Sequence, residues 1–163
     1  MKHRAFIGLG SNLANPLTQV LQAMQDIDRL PDIRVLARSA LYRSAPVGYL
    51  EQPDFINAVV EIETALEPLV LLQALLALEQ ANGRTREFPN APRTLDLDVL
   101  LYDDLQHHKH GLTVPHPQMH KRAFVLQPLL EIAPDCMIPG VGAAITAMQE
   151  CKDQQLEKLP NDA

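Results

Sequence analysis

Six segments of this chain switch between two hydrophobic periods, and their order leaves few folds open. Ala5 to Leu9 is a short apolar run that reads as a buried strand, ending in Gly8-Leu9-Gly10-Ser11-Asn12. Asn15-Pro16 then supplies a capping residue followed by proline at the first helical position. Apolar residues at 17, 20, 21, 24, 27 and 30 keep the helical period until Pro31. Ile33 to Tyr42 predicts a strand with Val35, Ala37, Ser39 and Leu41 on one face. After a loop over 44–54 holding Pro46, Gly48 and Pro53, Phe55 to Thr64 predicts a second strand that returns antiparallel. Pro68 opens a helix through Ala81, closed by Asn82-Gly83. Leu95, Leu97 and Val99 alternate with Asp96 and Asp98, which predicts a strand running to Tyr102.

Strand, helix, strand, strand, helix, strand is the split βαβ order of ferredoxin-like folds. The expectation is an α+β protein: a ferredoxin-like βαββαβ core whose antiparallel sheet is covered on one face by helices. Additional C-terminal helices are expected over Arg122–Ile132, despite Pro128, and over Ala143–Glu150. Between them and the core, His107–His110 reads as an exposed polar turn and Leu112–Val114 as a short strand, while the last ten or so residues read as frayed. At 163 residues the chain predicts one domain over 1–163. With 47% apolar residues, 4% aromatic and no Trp, its core is aliphatic.

The net charge of −6 argues against broad nucleic-acid or anionic-membrane binding. No apolar run reaches the length of a membrane span, and the N-terminus lacks a signal-peptide core. Cys136 and Cys151 form neither a metal spacing nor a disulfide framework, so a reduced, cytoplasmic setting is expected. A monomer with small-molecule partners completes that expectation.

On a strand, Asp96 and Asp98 project to the same side. Two like charges this close repel, and a cation between them would remove the penalty. Carboxylates suit Mg²⁺, which is commonly held by one or two of them together with substrate phosphates. The alternative is the solvated face of an amphipathic strand. Arg84, Arg86 and Arg93 make a local positive site just upstream, suited to phosphate; the alternative is a solvated loop. Glu79 sits one turn before that loop, placed to pair with one of the arginines. Carboxylates and arginines converging are what Mg²⁺-assisted phosphoryl transfer needs.

Gly8-Leu9-Gly10 lacks the third glycine of a dinucleotide fingerprint and the Lys-Ser/Thr of a phosphate loop. It reads as a tight strand-to-helix turn with a role in shaping a pocket wall. His116 and His120 stand four apart, but Pro117 disfavours a regular helix and no third zinc ligand is evident, so a phosphate or ribose contact by His116 and Arg122 is the better reading. Phe55 and Phe124, taken alone, read as core. There is no Gly-x-Ser-x-Gly elbow and no Cys-His pair suggesting a thiol nucleophile.

Together these residues resemble the 6-hydroxymethyl-7,8-dihydropterin pyrophosphokinase family, with a match running from about Phe6 to Pro134. Its anchors are Ile7-Gly8-Leu9-Gly10-Ser11-Asn12-Leu13, Tyr42-Arg43-Ser44-Ala45-Pro46-Val47-Gly48, Gln52-Pro53-Asp54-Phe55-Ile56-Asn57-Ala58, Gly83-Arg84-Thr85-Arg86, Pro92-Arg93-Thr94-Leu95-Asp96-Leu97-Asp98, and Val114-Pro115-His116 with Arg122-Ala123-Phe124. The resemblance implies transfer of the β,γ-diphosphate of ATP, the co-substrate, to the pterin hydroxymethyl group with release of AMP. By the same resemblance Asp96 and Asp98 are ligands for two Mg²⁺ ions, and Arg84, Arg86 and Arg93 bind the triphosphate. Glu79, Val99, Thr113, His116 and Arg122 are further nucleotide contacts. Asn57 bonds the pterin edge, Phe55 and Phe124 sandwich the ring, and Ser44, Ala45 and Val47 line its site. The chain departs from some members at Asn90-Ala91, where they carry Trp-Gly, at Gly111, where they carry a basic residue, and at Pro117, where they carry Tyr.

Two other classes fit the fold order. A binding module without chemistry would be expected to have a damaged Asp96/Asp98 pair, yet both residues are intact. An RNA-binding sheet would want basic charge and more strand aromatics.

Overall fold

A computed structural model describes residues 2–13, 15–45, 52–82 and 95–160. Strand β1 (His3–Ser11) leads into helix α1 (Pro16–Asp28), followed by β2 (Ile33–Arg38), β3 (Tyr42–Ser44), β4 (Phe55–Thr64), helix α2 (Pro68–Ala81) and β5 (Asp96–Tyr102). Then come the hairpin β6 (His107–Lys109) and β7 (Leu112–Val114), a 3-10 turn at Met119–Lys121, and α3 (Ala123–Ile132). The two-residue strands β8 (Met137–Ile138) and β9 (Gly142–Ala143), α4 (Ala144–Gln149) and β10 (Leu156–Lys158) follow.

Among the described residues the main sheet has six strands, all paired antiparallel. β4 lies between β1 and the consecutive β2 and β3; β5 flanks β1 and β10 flanks β3. This is the ferredoxin-like α+β order expected from the sequence.

Side-chain alternation decides what covers each face. Ala5, Ile7 and Leu9 of β1 pack with Leu97 and Val99 of β5 under Val20, Met24 and Ile27 of α1 and Leu71 and Leu75 of α2. Phe6 turns the other way and packs with Val59, Leu100 and Leu126 and Leu129 of α3. Helices therefore cover both faces rather than one. The continuous buried run Ile56–Val60 in β4 is the sign of a strand enclosed on both sides.

Four further expectations change. The strand expected over 33–42 is two strands, because Val59 donates its N–H to the Ser39 hydroxyl at 3.0 Å and Ala40 turns its own N–H onto the Glu131 carboxylate. Asn15 precedes α1 as expected, but through a left-handed backbone (φ 61°) with no side-chain cap, and α1 stops at Asp28, short of Pro31. His107–Lys109 is a strand; the turn is His110-Gly111, at φ 57° and 80°, the paired positive values that two-residue hairpin turns favour. The tail is not frayed over 156–160: β10 pairs with β3, and Leu159 is buried and donates its N–H to the Leu41 carbonyl at 2.8 Å.

Candidate active site

β5 enters the sheet with Asp96 opposite Gly10 and Asp98 opposite Gly8 of β1. Leu95, Leu97 and Val99 are buried against α1 and α2, so the two carboxylates fall together on the opposite face, partly exposed. That is the face of α3, and α3 covers only part of it. Where α3 ends, Gly8 and Gly10 floor an open cleft walled by Phe55 and Asn57 of β4, Ser44 and Ala45, Asp96 and Asp98, and Arg122 and Phe124.

The glycines are not at a turn, as the sequence suggested; both lie inside β1. What matters is their missing side chain. A Cβ on Gly10 would lie 3.5 Å from Asn57 Oδ1 and 3.8 Å from Phe55 Cδ1, and one on Gly8 would lie 3.3 Å from Leu100. Any larger side chain would raise the floor.

Asn57 is buried, and its Nδ2 donates to Ser44 Oγ at 2.7 Å and to the Tyr42 carbonyl at 3.4 Å. This turns its carbonyl oxygen toward Gly10. Arg122 caps α3 and holds its guanidinium carbon 5.5 Å from the centre of the Phe124 ring, within cation–π range.

His116 is tied to β5 by its N–H, which donates to the Leu100 carbonyl at 2.9 Å. Burial holds its ring below the usual imidazole range, the charge of Arg122 adds to that, and Asp96 opposes it. Its Nδ1 accepts the Gln118 N–H at 3.1 Å, so in the neutral ring the proton sits on Nε2, where it is a donor.

Glu79, in the last turn of α2, is 1% exposed, and its carboxylate accepts the Leu97 N–H at 2.6 Å. That amide lies between the two aspartates, so Glu79 fixes the start of β5. The Leu97 N–H points off the outer edge of β5, and strand alternation gives Val99 the same outward amide while its side chain stays in the core. A contact by Val99 to a nucleotide is therefore a main-chain contact. Thr113 Oγ1 lies 2.7 Å from His108 Nδ1 across the β6–β7 hairpin.

Of the residues singled out in the sequence, the structure brings Ser44, Ala45, Phe55, Asn57, Asp96, Asp98, Arg122 and Phe124 to one cleft. Glu79, Val99, Thr113 and His116 lie on or beside β5 but do not line it. Val47, Arg84, Arg86 and Arg93 lie outside the described residues. Among the described residues no group of three or more His, Cys, Asp or Glu is placed to hold a metal ion.

Sequence reasoning missed Asn12. It is buried directly after β1, and its Nδ2 donates to Gln52 Oε1 at 2.6 Å and to the Pro53 carbonyl at 3.1 Å, anchoring the approach to Phe55. A buried amide between two loops leaves no periodic trace.

An antiparallel α+β domain with a carboxylate pair at the mouth of a ring-sized slot has the outline of a small phosphoryl-transfer enzyme. The family model described as 7,8-dihydro-6-hydroxymethylpterin-pyrophosphokinase matches residues 6–134. The chain belongs to this pyrophosphokinase family. It is 43% identical over 160 residues to the 2-amino-4-hydroxy-6-hydroxymethyldihydropteridine pyrophosphokinase of Pseudomonas aeruginosa, covering 98% of this chain and 99% of that one. Identity to the protein of the same name from Haemophilus influenzae is 41% over 155 residues, covering 95% and 97%. The fold is similar to that in the crystal structure of Plasmodium falciparum HPPK-DHPS with pteroate, with a TM-score of 0.74 at 12% identity. That match covers 92% of this chain and 42% of the solved one, so this chain spans about two-fifths of its length.

Proposed function

We propose that this chain transfers the β,γ-diphosphate of ATP to the hydroxymethyl group of 6-hydroxymethyl-7,8-dihydropterin and releases AMP. One observation carries the reading: Asp96 and Asp98 share a floor with a slot walled by Phe55, Asn57 and Phe124. A flat heteroaromatic ring suits the aromatic walls, and Asn57 supplies a fixed polar edge. Its hydroxymethyl arm would then point toward the carboxylates.

The donor set fits Mg²⁺. Two neighbouring carboxylates with no third protein ligand among the described residues leave positions for phosphate oxygens and water, as Mg²⁺ prefers. Two ions are expected. Bound there, Mg²⁺ would neutralise and orient the phosphate oxygens. The chain's own residues do the rest. Asp96 and Asp98 hold the metal, Arg84, Arg86 and Arg93 take the triphosphate charge, and Arg122 stands at the junction of nucleotide and ring. His116 offers a neutral Nε2–H donor. Thr113 and the main chain of Val99 contact the nucleoside, and Glu79 keeps the strand in place. Ser44, Ala45 and Val47 back the pterin.

The domain over 1–163 is proposed to act as a monomer in the cytoplasm. Its two described cysteines are free, and no helix of the described residues is long and apolar enough to cross a membrane. Incubation with ATP, Mg²⁺ and the pterin alcohol should yield AMP and pterin diphosphate one to one. ADP as the main product would refute diphosphate transfer.

A further inference from the structure

We propose that Glu131, which lies outside the cleft, is a positioning residue for pterin recognition, acting through Tyr42 on Asn57; the inference rests on the proposed function above. Glu131 occupies the last turn of α3, where a carboxylate faces the negative end of the helix dipole. What holds it there is β3. Its carboxylate accepts the Tyr42 hydroxyl at 2.6 Å and the Ala40 N–H at 3.1 and 3.2 Å. The first is the short O–H···O⁻ bond of a charged acceptor. Burial, reinforced by this bond and by the Glu131 charge, pushes the Tyr42 hydroxyl well above the ordinary tyrosine range, so it stays a donor.

Tyr42 is directly opposite Asn57 in the β3–β4 ladder, and Ser44 is opposite Phe55. The Asn57 amide nitrogen is held by the Tyr42 carbonyl and the Ser44 hydroxyl, both on β3. Which end of the Asn57 amide faces the slot therefore depends on where β3 sits. β3 is only three residues long, and the strand break at Ser39–Leu41 separates it from β2. Glu131 bonds inside that break, at Ala40, and at the first residue of β3, Tyr42, and so ties β3 to the same helix whose first turn carries Phe124. One helix thus sets both the aromatic wall and, at its other end, the polar wall.

The test is steady-state kinetics of wild type, Glu131→Ala, Glu131→Gln and Tyr42→Phe, with KM measured for both substrates. Glu131→Ala and Tyr42→Phe should raise the pterin KM about tenfold, the scale lost when outer partners of a ligating group are removed. The ATP KM should stay within about twofold, since binding lost from one site alone moves that substrate's KM. Glu131→Gln should recover most of the loss, because one Glu131 oxygen, Oε1, already accepts both donors and an amide carbonyl can do the same. A merely structural role would move both KM values together, and that result, or an unchanged pterin KM in Tyr42→Phe, overturns the inference. Tyr42→Phe keeps the ring packing, so it decides the matter if Glu131→Ala does not fold. A wild type that makes no AMP would instead refute the proposed function itself.

Discussion

Gly10→Ala separates folding from recognition. The new methyl would sit 3.5 Å from Asn57 Oδ1, 3.8 Å from Phe55 Cδ1 and 3.9 Å from the Ile56 carbonyl oxygen, all ordinary van der Waals contacts. Gly10 lies inside β1 and is not among the positive-φ glycines, so alanine adopts its backbone without strain. Replacing glycine at a compatible position restricts the unfolded chain and stabilises by about 0.4–1 kcal/mol. For a chain of this size that raises Tm by roughly 1–4 °C. The same methyl rises from the floor of the cleft proposed to take the pterin ring. Overpacking of a fitted site costs about 1–3 kcal/mol, which at about 1.4 kcal/mol per decade is roughly a 5- to 150-fold loss of affinity. Calorimetric titration with the pterin in the presence of a nonhydrolysable ATP analogue, paired with thermal melting, reads both effects. A variant that is no less stable but binds pterin weakly is the expected result. Wild-type pterin affinity, or a clear fall in Tm, would refute the assignment of Gly10 to the slot floor. Gly8→Ala should behave differently, because its methyl meets Leu100 at 3.3 Å and the core must give before any ligand is involved.

Three other substitutions probe two walls of the cleft and the support of β5. Asp98→Ala should lower turnover on the order of 10²-fold or more, the scale of losing one electrostatic stabiliser. It should leave the melting temperature unchanged or higher because like-charge repulsion is relieved; near-normal turnover at saturating Mg²⁺ would remove Asp98 from the metal site. Asn57→Ala should weaken pterin by about 1–3 kcal/mol, the cost of an unsatisfied polar edge, and ATP much less; equal losses in calorimetry would place Asn57 outside the pterin site. Glu79→Ala leaves the buried Leu97 N–H without its carboxylate, which costs about 1–3 kcal/mol of stability, and turnover should fall with it as the Asp96–Asp98 segment loosens. Unchanged melting would show that the Glu79–Leu97 bond holds nothing.

Where local pattern determined structure, the sequence was readable. β4 runs Phe55–Thr64 and α2 runs Pro68–Ala81, both as the sequence predicts, because a long apolar strand and a proline-started helix each carry their own boundaries. The Asp-x-Asp face was readable for the same reason: Leu95, Leu97 and Val99 have one place to go. What could not be read depends on partners distant in sequence. The break between β2 and β3 needs Glu131, some ninety residues away. The tail is ordered by pairing with β3, and its short polar run shows no sign of that. Gly8 and Gly10 read as turn formers in the sequence, yet lie inside β1, because a glycine needed for its empty space looks, in one dimension, like a glycine needed for its backbone freedom. The residue types of the site were legible through family resemblance. Which of them share a wall required the register.

That register lines the chemistry up in one row. Asp96 pairs with Gly10, Gly10 with Asn57, and Asn57 with Tyr42, so four strands present successive residues across the α3 face of the sheet. Neighbouring strands are about 4.8 Å apart, which puts Asp96 and Asn57 roughly 10 Å from each other with the Gly10 gap between them. A two-ring heteroaromatic with a one-carbon arm spans such a gap when its edge meets Asn57 and its arm reaches toward Asp96. The next row is one pleat further along on the same face, with Asp98 paired to Gly8 and Gly8 to Val59, and there Leu100 and α3 close the sheet. The carboxylate pair thus stands where the open part of the face meets the covered part. A phosphate chain laid along Asp96 and Asp98 would run parallel to β5, across the end of the ring slot and beside the outer edge where His116, Thr113 and the Val99 main chain lie. On the proposed function, ring and phosphate chain would approach at right angles, because one would follow the rows of the sheet and the other its strands. The hydroxymethyl oxygen and the phosphate it is proposed to attack would then meet at the corner occupied by Asp96.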